Sequence, residues 1–72
     1  MENVTATTLS KFLETFRSKR VIVHMKSGML HEGKLYNIDN CGIIIESTYK
    51  NDKEEMIFIP KENYEYVSGW LH

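Results

Sequence analysis

Apolar and polar positions alternate most regularly over residues 21–39, which predicts two β-strands joined as a hairpin. Before the turn, Val21, Val23 and Met25 occupy alternate positions and therefore lie on the same face of the first strand. A two-residue loop would pair these apolar residues with polar positions of the second strand. A three-residue loop over residues 26–28 keeps the apolar positions of both strands on one face. The sequence therefore predicts that Met25 lies opposite Met29.

The same register makes three further predictions. It places Val23 opposite His31, and it gives Gly28 the left-handed conformation that closes a three-residue hairpin loop. Gly33, inside the second strand, indicates a sharp bend or the close approach of another backbone. In a small barrel, such a glycine lets one long strand cross from one half of the sheet to the other.

A stripe of apolar residues at helical spacing precedes the hairpin: Leu9, Phe12, Leu13 and Phe16. Thr7 or Thr8 is suited to cap this helix, which we predict over residues 8–19 after a flexible segment, residues 1–7. So short a helix is unstable alone in water, and its apolar stripe must therefore pack against the sheet.

The remaining pattern predicts five strands in all, at about residues 20–26, 29–38, 42–49, 54–59 and 63–68. Residues 50–53 are polar and form the exposed tip of the second hairpin. Pro60 ends the fourth strand because it cannot donate to a ladder. We therefore predict a mainly β class: one domain over residues 8–72, with an N-terminal helix and a small, strongly bent, five-stranded antiparallel barrel of SH3-like type.

The chain of 72 residues is short, and a domain of this size buries only about 60% of its unfolded surface, so self-association is expected to help stability. Cys41 is the single cysteine, which excludes an internal disulfide and fits a reducing compartment. The sequence has no apolar run of the roughly 18 residues that span a bilayer and no secretory signal. We expect a cytoplasmic protein that does not enter membranes.

The hairpin reads Val-x-Val-x-Met-x-x-Gly, four residues, then Gly-x-Leu-x-x-Ile-Asp, and this pattern resembles the first signature motif of the Sm-like proteins, which include the Sm and LSm rings and bacterial Hfq. Residues 12–21 look like the corresponding segment of Hfq, and residues 57–67 are similar to the second Sm motif. The resemblance covers nearly the whole chain.

The resemblance implies a homo-oligomeric ring of five to eight subunits, with six or seven favoured, in which the fourth strand of one subunit pairs with the fifth strand of the next. The implied interface residues are Met56, Ile57, Phe58, Ile59, Tyr64, Tyr66 and Val67. The family binds single-stranded, often uridine-rich RNA around the pore, and its roles include RNA chaperoning and RNA processing. The residues that carry over to the pore loops are Asp39, Asn40, Cys41, Pro60 and Lys61.

Three departures from the family pattern weaken this expectation. Cys41 stands where the family usually has an aromatic residue or histidine, so stacking of about 1–3 kcal/mol per base is missing there. Gly42 and Ile43 stand where Sm proteins have the loop asparagine. Pro60 and Lys61 replace the Arg-Gly of Sm proteins or the Lys-His of Hfq, and lysine lacks the bidentate fork of arginine. We expect weaker or differently selective RNA binding.

A second set of candidate RNA contacts lies on a rim or another face: Arg17, Lys19, Arg20 and His31. The basic cluster follows the predicted helix, where positive charge also suits the negative end of the dipole, so helix capping is an alternative role. His31 occupies one of the strand positions predicted to face the core, so packing in the barrel wall is its alternative role.

Catalysis, a metal and a cofactor are not expected. His24 and His31 face opposite sides in the predicted register, and one cysteine does not make a zinc site. A nucleophilic Cys41 would need a neighbouring base, and the sequence places only Asp39 and Asn40 beside it.

The net charge of −1 is unusual for a nucleic-acid-binding domain. Residues 1–36 carry six basic and three acidic side chains, which sum to +3, and residues 37–72 carry three and seven, which sum to −4. This balance and the missing stacking residue favour a rival interpretation. The rival is a small SH3-like barrel that acts as a protein-interaction or scaffold module without binding RNA.

Overall fold

The computed structural model describes residues 4–48 and 54–70. Its elements in chain order are α1 (Val4–Phe16), β1 (Arg20–Met25), β2 (Leu30–Ile38), β3 (Gly42–Thr48), β4 (Glu54–Pro60), a 3₁₀ turn (Lys61–Asn63) and β5 (Tyr64–Gly69). The five strands form one antiparallel sheet in the order β4-β3-β2-β1-β5. The predicted mainly β class with one N-terminal helix is confirmed.

The sheet does not close into a barrel within the described residues, which corrects the predicted closed architecture. β4 pairs only with β3, and β5 pairs only with β1 in this part of the chain. Closure would require these two border strands to pair with each other. The backbone N–H and C=O groups along the outer side of each border strand are therefore not used by the sheet itself.

α1 begins four residues earlier than predicted. Residues 4–7 belong to the helix, although the sequence placed them in a flexible segment, residues 1–7; residues 1–3 lie outside the described part of the chain. The sequence has no glycine or proline at residues 4–7, so it gives no local signal that would delay the start of the helix. The suggested caps, Thr7 and Thr8, therefore lie inside α1.

α1 ends at Phe16, before the basic cluster that was expected in its last turn. Ser18 has a φ of 66°, a left-handed conformation that stops a helix. The N–H of Ser18 donates to the carbonyl of Leu35 (2.8 Å), and the N–H of Leu35 donates to the carbonyl of Lys19 (2.9 Å). Pairing with β2 replaces further helical turns, so Arg17 and Lys19 flank a corner of the chain and do not cap α1.

The register predicted for the first hairpin is confirmed. Val23 lies opposite His31, and the N–H of Met25 donates to the carbonyl of Met29 (2.9 Å). Gly28 has a φ of 96°, the left-handed conformation that a three-residue loop requires. The described ends of the five strands lie within one residue of their predicted positions. Residue 49, predicted as the end of the third strand, and residues 50–53, predicted as an exposed tip, lie outside the described residues.

The hydrophobic core lies on one face of the sheet, the inner face, and consists of Val21, Val23, Leu35, Ile38, Ile43, Ile45 and Ile59. The apolar stripe of α1 packs against this cluster through Leu9, Phe12, Leu13 and Phe16. Packing against the sheet therefore stabilises a helix whose 13 residues would be marginal in isolation.

The two ends of β2 lie close together because one short turn binds both. The N–H of Lys61 donates to the carbonyl of Cys41, just after β2 (3.0 Å), and the N–H of Lys26, before β2, donates to the carbonyl of Asn63 (3.1 Å). A three-residue turn spans at most about 10 Å. A straight strand of the length of β2 extends about 30 Å. β2 must therefore bend strongly, and the sheet curls with it.

Two features of β2 permit this bend. Gly33 brings the strand close to β3: a Cβ at Gly33 would lie 2.7 Å from the carbonyl oxygen of Glu46. The register between β2 and β3 then shifts between Leu35 and Asn37, a bulge that leaves Tyr36 without an opposite residue. Bulges of this kind bend a strand and increase its twist.

We predict that Gly33→Ala lowers the free energy of unfolding by about 1–3 kcal/mol, because the added methyl group must push β3 away from β2. Unfolding in urea measures this loss. The control is Lys34→Ala, at an exposed position of the same strand, which we expect to change stability by less than about 0.5 kcal/mol. Equal stability of the two variants would contradict the close packing at Gly33.

Candidate functional site

An open cavity of about 620 Å³ lies beside the 3₁₀ turn, between segments far apart in the sequence. Its lining residues are Lys26, Asn40, Cys41, Lys61, Glu62, Tyr64 and Glu65. Ligand pockets commonly have volumes of about 300–1,000 Å³. The bend in β2 creates this cavity, because Lys26 and Asn40 lie beyond opposite ends of that strand.

The loop between β2 and β3 is held rigid by the side chain of Asp39. Its Oδ1 accepts hydrogen bonds from the N–H of Cys41 (2.8 Å) and the N–H of Gly42 (3.3 Å). The N–H of Asp39 also donates to the carbonyl of Gly42 (3.0 Å). This turn presents the exposed side chains of Asn40 and Cys41 to the cavity.

The loop after β4 is bonded directly to this turn. Pro60, the last residue of β4, lies opposite Gly42, and the next residue, Lys61, donates its N–H to the carbonyl of Cys41 (3.0 Å). The structure therefore brings the residues that the sequence assigned to two pore loops into one place, with Asn40, Cys41 and Lys61 lining the same cavity. Asp39 does not line this cavity; it lines a separate one of about 210 Å³, together with Leu9, Ser10, Leu13, Ile38 and Asn40.

The cavity lining is balanced in charge and has an aromatic residue in its wall. Lys26 and Lys61 contribute two positive charges, and Glu62 and Glu65 contribute two negative charges. Tyr64 is half-buried, and burial raises the pKa of its phenol above 10.0, with a smaller contribution from the negative charge of Asp39. The hydroxyl of Tyr64 therefore keeps its proton at neutral pH and can donate a hydrogen bond.

The sequence interpretation did not include Lys26 in this site, and it placed Tyr64 at a subunit interface in preference to a role in base stacking. Lys26 lies in the loop of the first hairpin, and a straight β2 would place that loop about 30 Å from Asn40. Gly33 was the available signal, since it indicated a bend. The direction of the bend depends on hydrogen bonds to the 3₁₀ turn, which the pattern does not contain.

The second set of predicted contacts lies away from this cavity. Arg17 lines a different cavity of about 330 Å³, together with Ser18, Leu35, Tyr36 and Asn37. The guanidinium of Arg20 pairs with the carboxylate of Glu32 (3.0 Å), and Lys19 is exposed at the corner after α1. His31 is half-buried opposite Val23. The structure does not group these four residues with the two loops.

The residues predicted for a subunit interface lie on the two border strands, and their side chains divide between the two faces of the sheet. Ile59 is buried in the core, and Ile57 and Val67 pack against it. Met56, Phe58 and Tyr66 are exposed, each by half or more of its surface. Both border strands therefore combine unused backbone groups with exposed apolar side chains.

Comparisons with protein-family models, with curated proteins and with solved structures found no match to this chain. In residues 4–48 and 54–70, no group of three or more histidine, cysteine or acidic side chains is arranged to hold a metal ion. The same part of the chain has no helix with the length and apolar character needed to cross a membrane.

We predict that Asp39→Asn lowers the pKa of Tyr64, because the substitution removes a nearby negative charge and keeps an oxygen that can accept the turn hydrogen bonds. The pKa should stay above 10.0, since burial is the larger cause. Titration of the tyrosine ring carbons by NMR measures this shift. The control is Glu62→Gln, another carboxylate at the cavity, and equal shifts in both variants would contradict the role of Asp39.

Proposed function

We propose that this chain is a subunit of a Sm-like homo-oligomeric ring that binds single-stranded RNA, with uridine-rich RNA as the ligand class. The observation that carries the proposal is the junction of the two loops assigned to RNA contact, which a backbone hydrogen bond joins at Cys41 and Lys61. The resemblance of both sequence motifs to the Sm-like family supports the same assignment.

The cavity offers three kinds of contact that suit unpaired RNA. The ammonium groups of Lys26 and Lys61 contact phosphates as point charges. The amide of Asn40 carries both donors and an acceptor, which matches the mixed donor and acceptor edge of uracil. The ring of Tyr64 offers the stacking surface that Cys41 does not supply.

Assembly would provide hydrogen-bond partners for the unused backbone groups of the two border strands, β4 and β5. β4 of one subunit pairs with β5 of the next, and this head-to-tail contact closes into a ring after a fixed rotation. The register follows from the apolar pattern, because Ile57 and Ile59 must continue the inner face on which Val67 of the neighbour lies. Met56 and Phe58 then lie on the same outer side as the neighbour's Tyr66.

A single cavity with balanced charge attracts a polyanion only weakly. A ring presents one cavity per subunit around its axis, so several weak contacts with one RNA strand act together. The number of cavities in the ring therefore compensates for the absence of the strong positive charge that most nucleic-acid-binding domains carry.

The same charge balance favours a second candidate function, a protein-interaction or scaffold module that keeps the assembly and does not bind RNA. The net charge of −1 and the two glutamates at the cavity support this candidate. RNA titration separates the two functions, because the second predicts no binding at low salt.

We predict that Lys61→Ala and Lys26→Ala each weaken the binding of a short oligouridine by about tenfold or more, because each removes one phosphate contact from every subunit. Asn40→Ala should reduce the preference for uridine over adenine. Fluorescence anisotropy at several salt concentrations measures affinity and its salt dependence, which should become shallower in the two lysine variants.

The matched control is Lys34→Ala, which removes an exposed lysine that does not line the cavity and should leave affinity within about twofold. Native mass spectrometry of the same samples should give five to eight chains per particle for every variant. An intact ring that binds neither oligouridine nor oligoadenosine at low salt would reject RNA binding and leave the scaffold function.

A further inference from the structure

Glu65 lies on β5 at the point where the register between β5 and β1 is interrupted. His24 lies opposite Tyr66, and the next residue, Met25, lies opposite Tyr64. Glu65 therefore has no opposite residue on β1 and forms a bulge in β5. Because cross-strand pairs lie on both sides of the bulge, its position along the strand is fixed.

The bulge accounts for the side chains that β5 contributes to the cavity of about 620 Å³ beside the 3₁₀ turn. Neighbouring side chains of a regular strand point to opposite faces of the sheet. Tyr64 and Glu65 are neighbours on β5, yet both line this cavity. Bulges change the direction of a side chain in this way, and they are frequent next to active sites. A local feature of the backbone therefore brings a carboxylate into the cavity wall.

The carboxylate of Glu65 is exposed and remains available to a ligand. Within residues 4–48 and 54–70, no ion pair joins Glu65 to Lys26 or Lys61, and the ion pair in this part of the chain is that of Arg20 with Glu32. A carboxylate beside a nucleic acid repels its phosphates. Glu65 can favour binding only if it accepts a hydrogen bond from the ligand.

The hydrogen-bond donors of an internal nucleotide of oligouridine are the N3–H of the base and the 2′-hydroxyl of the ribose. N3–H lies between the two carbonyl oxygens of uracil, which repel a carboxylate. An amide such as that of Asn40 suits this edge better, because it carries both donors and an acceptor. The 2′-hydroxyl suits a carboxylate, and an acidic side chain accepts its hydrogen in dinucleotide-binding proteins.

We infer that Glu65 accepts a hydrogen bond from the ribose 2′-hydroxyl of the bound nucleotide and thereby makes the cavity select RNA over single-stranded DNA. This inference rests on the proposed binding of RNA at the same cavity. The 2′-hydroxyl is the group by which a protein distinguishes RNA from DNA at a given site. Lys26 and Lys61 contact the phosphates beside the ribose and reduce their repulsion of Glu65.

The same role explains why a site for a polyanion contains a carboxylate. The negative charge of Glu65 lowers affinity for RNA and DNA alike. A hydrogen bond to the 2′-hydroxyl restores affinity for RNA alone, whereas bound DNA leaves the carboxylate without a partner. Specificity is a difference between two affinities, and a group that penalises the wrong ligand increases that difference.

Fluorescence anisotropy with three oligonucleotides of equal length tests the inference: oligouridine, oligodeoxyuridine and 2′-fluoro-oligouridine. The 2′-fluoro strand keeps an RNA-like sugar pucker but has no hydroxyl hydrogen, so it separates hydrogen-bond donation from the shape of the strand. The wild type should bind oligouridine about five- to tenfold more tightly than either of the other strands. Equal affinity for oligouridine and its 2′-fluoro analogue would overturn the inference.

Variants of Glu65 assign the preference to its carboxylate. Glu65→Ala should reduce the preference to less than about twofold and raise affinity for oligodeoxyuridine, because it removes both the acceptor and the negative charge. Glu65→Gln keeps an acceptor oxygen and should retain most of the preference. The matched control is Glu14→Ala, which removes an exposed carboxylate of α1 that does not line the cavity and should keep the wild-type preference. A preference that persists in Glu65→Ala would overturn the inference.

Failure of the inference differs from failure of the proposed function. Equal binding of all three strands at low salt would overturn the ribose contact and leave nucleic-acid binding at the cavity standing. Absence of oligouridine binding would reject the proposed function and the inference together. A changed number of chains per particle in Glu65→Ala, measured by native mass spectrometry, would place Glu65 at the subunit interface and overturn the inference. The wild-type comparison can overturn it even if Glu65→Ala does not fold.

Discussion

The curvature of this sheet depends on two backbone hydrogen bonds made by one short turn. Lys61 and Asn63, two residues apart in the 3₁₀ turn, bond to Cys41 and Lys26, which flank β2 on its two sides. A straight β2 would separate those partners by about 30 Å. The turn can bind both only because Gly33 admits β3 at close range and a bulge bends the strand at Tyr36. The candidate cavity is a direct result of this bend.

The same curvature leaves the sheet with two borders that do not pair with each other in the described part of the chain. Border strands usually carry charges, bulges or prolines that discourage pairing with other chains. Here β4 carries such residues only at its two ends, Glu54 and Glu55 at the start and Pro60 at the last position, and exposes Met56 and Phe58 between them. A small domain with a core of this size gains stability when such borders are covered. The proposed assembly would cover these borders and thereby add to the stability of the chain.

Local rules were sufficient to predict much of the fold. The alternation of apolar and polar residues was enough to predict the hairpin register, since a one-residue slip would have moved Val23 to the wrong face. The apolar stripe from Leu9 to Phe16 identified the side of α1 that packs against the sheet. Two expectations failed for physical reasons. The sequence has no glycine or proline just before residue 8, so no local signal marks where α1 begins. Barrel closure depends on whether two distant border strands meet, and a local sequence pattern contains no information about that. Lys26 and Tyr64 were missed at the cavity for the same reason, because only the bend in β2 brings them to Asn40.

The proposed ring requires the borders of the curled sheet to pair between copies of the chain. Hydrogen–deuterium exchange of the backbone amides can be measured at two protein concentrations, one well above and one well below the assembly range. If the borders pair, the outward-pointing amides of β4 and β5 exchange slowly when the protein is concentrated and quickly when it is dilute, while amides of β2 exchange at the same rate in both. Equal exchange of the border amides at both concentrations, in a protein that stays folded, would contradict the proposed ring.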